Sequence, residues 1–559
     1  MQYPKSAEAL AHASWTDIEP FYEELAMRPL GQANVENWLS DWSWLTKLVS
    51  EVNALANFDY ARDTADAAKE ALQLRFAVEI VPRVEEQEIR LGCRLLDLGY
   101  SRAGLETMIR RFGNQRELFW AENVELMAKL EGLSSRYNKL VGAMAVEWQG
   151  TVVTVQSMLA HLEQTDRPMR ERAFKAMFRP YIERRDDLEG LFDQMYELRQ
   201  QVAVNAGLDN FRDYAHRQKN RFDYSSDDCL SWHSAVEATV VPLLDRIREQ
   251  RRQQMGLDSL RPWDLNVDPT GLPPLHPFDD VGHLVAGAKR IFDQLDSDLG
   301  AQFRLLADEG WLDIGSRLGK APGGFHDQLP VRGRSVIFAN AVGVPDDVRT
   351  LLHESGHAFH AFAASTIEPC FQQHPGMEMA EVASMSMELL GAPLLVGAGF
   401  YTEDEFRRFR MADLELMLTR IAHIASIDAY QHWIYTHAEG RDRDARDQSW
   451  LEIRSRFDPV TDWTGLESER VARWLYQLHI FSFPFYYIEY GLAQMAALQI
   501  WRNSLQDPKK ALQDYRSALA LGATQPMPEL YRTAGAEMFF DAESVGELMQ
   551  FVEQHWLSG

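Results

Sequence analysis

Through its first 255 or so residues this sequence offers the folding chain little except helix. Trp38 to Leu55, Asp63 to Val81, Val84 to Leu98 and Leu118 to Leu133 carry apolar residues three and four apart, with charges between them. That spacing lines one side of a 3.6-residue helix, and such a side must be covered by another element. Asp166 to Arg185 and Asp187 to Ala206 continue the pattern with dense Arg and Glu, until Gly207-Leu208-Asp209-Asn210 interrupts it. Alternation of period two is confined to Gly150 to Gln156 (Gly-Thr-Val-Val-Thr-Val-Gln), which reads as one short strand. The fold class is therefore mainly α-helical, built by packing helix on helix, with any sheet kept small.

Composition changes at 258–278, where Pro262, Pro269, Pro273, Pro274 and Pro277 fall close together with Gly271. Proline cannot continue a helix interior, so this is a connector. Helix resumes from Asp279 to about Glu309, and Gly315 to Gly333 reads as a second loop-rich stretch. Ser335-Val336-Ile337-Phe338-Ala339-Asn340 is β-prone. Its use is either an edge that pairs with an extended peptide or an ordinary hairpin that packs a sheet.

Directly after it comes Leu351-Leu352-His353-Glu354-Ser355-Gly356-His357-Ala358-Phe359-His360. Pro345-Asp346-Asp347 supplies a helix start, with proline in the first turn and acids beside the positive helix end. On that helix His353 and His357 are four residues apart, on one face. Two imidazoles so placed can share one Zn²⁺, with Glu354 beside them as a base for the attacking water. His360 shares the face and either lines the site or sits in the core. In a chain with 16 His, an accidental H-E-x-x-H has odds of roughly a few per cent.

A zinc hydrolase of this kind needs a third ligand and an open position. The carboxylates that follow are Glu368, near the helix end, and Glu378, Glu381 and Glu388 on a second helix, Glu378 to Leu390. Glu381 lies among Met379, Ala380, Val382, Ala383 and Met385. A carboxylate there is costly to bury without a partner such as a metal. Glu388, two turns on, is placed to orient a ligand histidine.

The remaining composition bounds the partners. A net charge of −26 repels nucleic acid. The cysteines, Cys93, Cys229 and Cys370, lack the paired spacing of a disulfide framework or a Cys-type zinc site. The N-terminal residues show no secretory signal, and no apolar run approaches a membrane span. These observations lead to the expectation of a cytoplasmic protein that engages neither nucleic acid nor membrane; they leave its oligomeric state open.

The sequence around the motif resembles the M3 peptidases, in particular the oligoendopeptidase F branch related to thimet oligopeptidase and neurolysin. The likeness rests on His353 to His360 and Met379 to Ser384. It extends to Leu260-Arg261-Pro262-Trp263-Asp264, Asp428 to Tyr435, Pro484 to Gln494 and Pro528 to Gly535, and it covers about 200 to 559. It implies a two-part protein, with residues 1–205 an N-terminal helical domain and 206–559 the catalytic domain. Together these would enclose a deep cleft, with a small β-sheet beside the motif helix. It implies one Zn²⁺ per chain on His353, His357 and Glu381, with Glu354 as general base and acid. It also implies that His479, Tyr486 and Tyr490 face the metal as donors to the developing oxyanion. The seven-residue run from His479 to Tyr486 has the bacterial spacing and not that of thimet oligopeptidase. The function implied is zinc-dependent hydrolysis of internal peptide bonds in short, unstructured oligopeptides. A carboxypeptidase-type zinc exopeptidase is the alternative. Less favoured is a non-catalytic, metal-containing peptide-binding protein, since a purely structural site needs no base.

Overall fold

The computed structural model describes residues 3–557. Helices dominate, and they form where apolar periodicity demands them. Helix Val35–Arg62 turns Val35, Trp38, Leu39, Trp42, Leu45, Leu48, Val49 and Val52 into one buried stripe. Two stretches differ in detail from the sequence reading. The expected helices 63–81 and 84–98 are three joined segments, Ala67–Leu74, a π-helical Arg75–Ile80 and Val81–Asp97. The π turn stands directly ahead of Pro82, which cannot donate an i→i−4 bond. The helix expected from 279 to 309 is two, Val281–Leu295 and Ser297–Asp308. Asp296 separates them in an extended conformation and accepts the amides of Asp298 and Leu299, capping the second.

The chain forms two units, each made of three segments. The first comprises Met1–Glu117, His276–Phe406 and Leu492–Met538; the second comprises Leu118–Leu275, Arg407–Gly491 and Phe539–Gly559. The sequence boundary at 205/206 thus falls inside the second unit. The reason is packing: helix Arg185–Asn205 lies against both Ala121–Gly142 and Phe211–Gln218.

The first unit holds a three-stranded sheet of β3 (Leu312–Gly315), β4 (Phe325–Leu329) and β5 (Arg334–Ala341), in the order β3-β5-β4. β5 runs parallel to β3 and antiparallel to β4. The β-prone segment 335–340 is therefore the central strand and not an edge. Its near-continuous buried run, Ser335 to Ala339, is what a strand covered on both faces requires. The outer strands are β3 and β4, and the residues of β4 lie in the stretch read as loop. Leu329, Val336 and Phe338 pack with Ala54, Phe58 and Ala61 of helix Val35–Arg62. On β3 the Asp313 carboxylate gathers Arg62 (2.8 Å), Arg317 (2.6 Å) and Lys320 (2.8 Å).

In the second unit β1 (Ala145–Trp148) and β2 (Thr151–Thr154) form a hairpin. Gln149 and Gly150 at its tip have φ of 52° and 83°, the left-handed pair that a two-residue turn matched to strand twist needs. The expected strand 150–156 is one arm of this hairpin. The proline-rich connector carries a single 3₁₀ turn, Pro262–Asp264. Buried Asp264 fixes that turn by accepting from Arg167 and from the equally buried Arg170, at 2.7–2.9 Å. Among the described residues, no helix is long and apolar enough to cross a membrane.

Candidate active site

The H-E-x-x-H segment lies on helix Pro345–Ala364, in the first unit. Asp347 anchors the start of this helix: its Oδ2 accepts the amides of Val342, Gly343 and Val344 at 2.8–2.9 Å. The helix packs on β4, on β5 and above all on helix Met377–Gly391. Gly356 allows that last approach. A Cβ there would lie 2.6 Å from the carbonyl oxygen of Ala383 and 2.7 Å from Cα of Ser384.

This close packing brings three side chains together. The rings of His353 and His357 are 4.9 Å apart between centroids and nearly perpendicular, at 84°. Glu381 Oε2 lies 3.4 Å from His353 Nε2 and 3.8 Å from His357 Nε2. One donor atom from each of the three falls within 4.8 Å of the others. Glu381 is only 3% exposed, and Ser384 Oγ donates to its carboxylate at 3.1 Å. Two neutral imidazole nitrogens and one carboxylate oxygen are the donor set of a catalytic zinc site, so the residues present fit that ion.

The surroundings tune these groups. His353 Nδ1 is 2.6 Å from Glu388 Oε1, which fixes the ring and directs Nε2 toward Glu381. Burial works against charge on His353, but its bonds to Glu381 and Glu388 outweigh it and hold its pKa well above the ordinary value. Burial holds His357 down at about 4, with the neighbouring His353 charge adding to the effect. Glu354 is pushed up to about 7 by burial, reinforced by Glu381, Glu388 and Asp327. A carboxyl balanced between its two forms near neutrality is suited to taking a proton and giving it back.

The other candidates sort themselves by position. His360 is buried, its Nε2 makes no hydrogen bond, and burial holds it at about 3. Glu368 is tied elsewhere, accepting from Ser43 at 3.0 Å and pairing with Lys47. Two site neighbours escaped the sequence reading because β4 did. His326 on β4 stacks over His357, centroids 6.0 Å apart, and bonds Ser335 Oγ at 2.9 Å. Asp327, next to it, is raised to about 6 by burial. The available signal was Phe-His-Asp-Gln-Leu, a five-residue segment between Gly323-Gly324 and Gly333.

His479, Tyr486 and Tyr490 belong to the second unit, where they form a cluster of their own. Ring centroids are 5.8 Å apart for His479–Tyr486, 5.0 Å for Tyr486–Tyr490 and 6.3 Å for His479–Tyr490. Phe485, directly before Tyr486, has a φ of 60°, a strained value for a bulky residue. Gln431 Oε1 accepts its amide at 2.8 Å, and Arg221 donates to its carbonyl while pairing with Glu489 at 2.8 Å. These bonds hold the turn from which Tyr486 and Tyr490 project.

A family model, that of peptidase family M3, matches residues 160–548, well over half of the sequence. The chain belongs to peptidase family M3. Among curated relatives, oligopeptidase PepF of Bacillus subtilis is 23% identical over 412 residues, 69% of this chain and 56% of that protein. Chromosomal oligoendopeptidase F of Lactococcus lactis subsp. cremoris is 22% identical over 53% of this chain and 49% of that protein. The chain thus spans about half the length of these curated relatives. Solved structures match over nearly their full length. A PZ peptidase A with a bound inhibitor shares 25% identity and a TM-score of 0.88, covering 100% of this chain and 99% of that one. An X-ray structure of a proposed oligoendopeptidase F shares 26% identity and a TM-score of 0.90, covering 100% and 98%. The likeness to these solved structures runs along the whole chain, whereas the family model begins at residue 160.

Proposed function

We propose that this M3 protein is a zinc-dependent endopeptidase that hydrolyses internal peptide bonds of short, unstructured oligopeptides. The observation that carries the reading is the convergence of His353, His357 and Glu381 around one point, with Glu354 buried beside them. Zn²⁺ held by these three residues would act as a Lewis acid toward the scissile carbonyl and make water more acidic. Glu354 takes the proton of the attacking water and delivers it to the leaving amine. Glu388 keeps His353 in the tautomer whose Nε2 is a free donor. Tyr490 and His479, in the roles that the family likeness implies, donate hydrogen bonds to the oxyanion, with Tyr486 beside them; each such donor contributes about 2.7–4 kcal/mol of transition-state stabilisation. The unpaired edge of β4, on the strand carrying His326, supports a mode in which an extended peptide adds as a further strand. Such binding suits flexible peptides and excludes folded chains. Three cysteines outside any disulfide suit a reducing compartment, and we assign the enzyme to the cytoplasm.

Incubation with a mixture of end-blocked peptides, with and without chelator, and mass analysis of the fragments tests this reading. Internal cuts that vanish with chelator and return with Zn²⁺ are expected. Trimming from one end only would convert the reading to an exopeptidase, and an intact mixture would overturn it. The donor assignment has its own check. Tyr490→Phe should lower kcat with KM little changed, because the hydroxyl acts on the transition state. An unchanged kcat returns Tyr490 to a packing role.

A further inference from the structure

We propose that His216, Cys229 and His432 form a second, structural metal site in the core of the second unit, taking a zinc-class transition cation. The three residues come from separate helices, Phe211–Gln218, Ser226–Gln254 and Glu403–Thr436. One nitrogen or sulfur atom of each lies within 4.8 Å of the other two. All three are interior, with exposures of 8%, 0% and 3%.

A second observation points to a ligand. His216 Nε2 and His432 Nδ1 make no hydrogen bond, while His432 Nε2 faces the Asp428 carboxylate. Leaving a buried polar atom unsatisfied costs about 1–3 kcal/mol, and native interiors rarely accept several in one place. Coordination would satisfy an imidazole nitrogen on each ring at once. The surroundings resemble a metal site's outer layer. Fully buried Asp428 accepts from His233 Nε2 at 2.8 Å and lies 3.3 Å from His432 Nε2. A carboxylate behind a ligand imidazole is the usual arrangement that orients such a ring.

Charge favours the same conclusion. A divalent cation with one thiolate and the Asp428 carboxylate sums to neutrality, as burial requires. Arg221 nearby is already balanced by Glu489 at 2.8 Å. Two imidazoles and a thiolate select a borderline or soft cation of the zinc kind over Mg²⁺ or Ca²⁺. The absence of paired cysteine spacing is no obstacle, because the two histidines arrive from other segments. The site would also brace the strained turn above it. The ring of Phe485 lies 6.1 Å from that of His216 and 5.5 Å from that of His432, centroid to centroid.

Cobalt loading of the full chain tests this directly, because His353, His357 and Glu381 offer no thiolate. The expected result is a thiolate-to-cobalt charge-transfer band, with metal bound beyond the first equivalent. Cys229→Ser should abolish the band and release that second equivalent, while the metal on His353, His357 and Glu381 stays. Should this variant fail to fold, zinc-edge X-ray absorption on the unaltered protein decides the matter. A sulfur neighbour at about 2.3 Å supports the site. A shell of nitrogen and oxygen alone, a single bound equivalent, or a band that survives in Cys229→Ser would overturn it, leaving buried water as the partner of these rings. None of these failures bears on the catalytic reading, which uses other residues.

Discussion

The motif residues are tuned by groups that the motif does not contain. Glu354 has its proton affinity raised by burial to about 7, so removing its charge should stop proton transfer without disturbing the metal. Glu354→Gln is expected to keep full zinc occupancy by metal analysis and to lose about 10²–10⁴-fold in kcat. Peptide cleavage near the parent rate would sink the assignment. Glu388 acts one step removed, through its 2.6 Å contact with His353 Nδ1. Glu388→Gln should weaken zinc about 10–100-fold, read by competition with a chromogenic chelator, with activity restored at saturating zinc. Unchanged affinity would make Glu388 a bystander. At this scale the sequence was most legible, because metal ligation demands few residue types at fixed spacing. His353 and His357 stood out by their spacing, and Glu381 by its apolar surroundings and the family resemblance. His326 and Asp327 did not, since their place depends on a strand pairing that periodicity does not encode.

Elements were legible in type and less so in partnership. Val35–Arg62 and Pro345–Ala364 follow from apolar stripes and start signals. The central position of β5 does not, because the four-residue apolar run Val336 to Ala339 looks alike at an edge and in the middle of a sheet. Nor does the π turn at Arg75–Ile80, which answers a proline further along. The packing of the motif helix on Met377–Gly391 rests on one residue that the sequence shows plainly, Gly356. The contacts awaiting a Cβ there are backbone atoms, which cannot swing aside. Gly356→Ala should therefore push the two helices apart, at a cost of about 1–3 kcal/mol. It should lower both the thermal midpoint and zinc affinity, because Glu381 moves away from His353 and His357. A variant with unchanged midpoint and metal binding would show that the approach is not needed.

Across the whole molecule, buried ionisable groups set how each unit responds to acid. In the first unit, burial pushes Glu88 up to about 7, so the folded chain keeps a proton that the unfolded chain has released above its ordinary 4.5. That contribution is present at low pH and fades as pH rises toward 7. His423, in the second unit, works in the opposite sense. Burial, aided by Arg454 and Arg473, holds it well below the ordinary imidazole value of 6.5. Nδ1 accepts from Arg454 at 3.3 Å, and the bond of Nε2 to Gln477 Oε1 at 3.2 Å, which favours the charged ring, does not overcome the burial. A second ring proton would face a guanidinium. Below 6.5 the unfolded chain therefore binds a proton that the folded chain refuses, and stability falls as pH drops, by up to ~1.4 kcal/mol per pH unit from this one group. His423→Gln removes that titration and leaves an amide able to bond both neighbours. Urea unfolding followed by circular dichroism from about pH 7 to about pH 5 should show a smaller loss of stability for the variant than for the parent. Equal losses would mean that His423 takes up its proton in the folded state, and that the contact with Arg454 yields before the unit does.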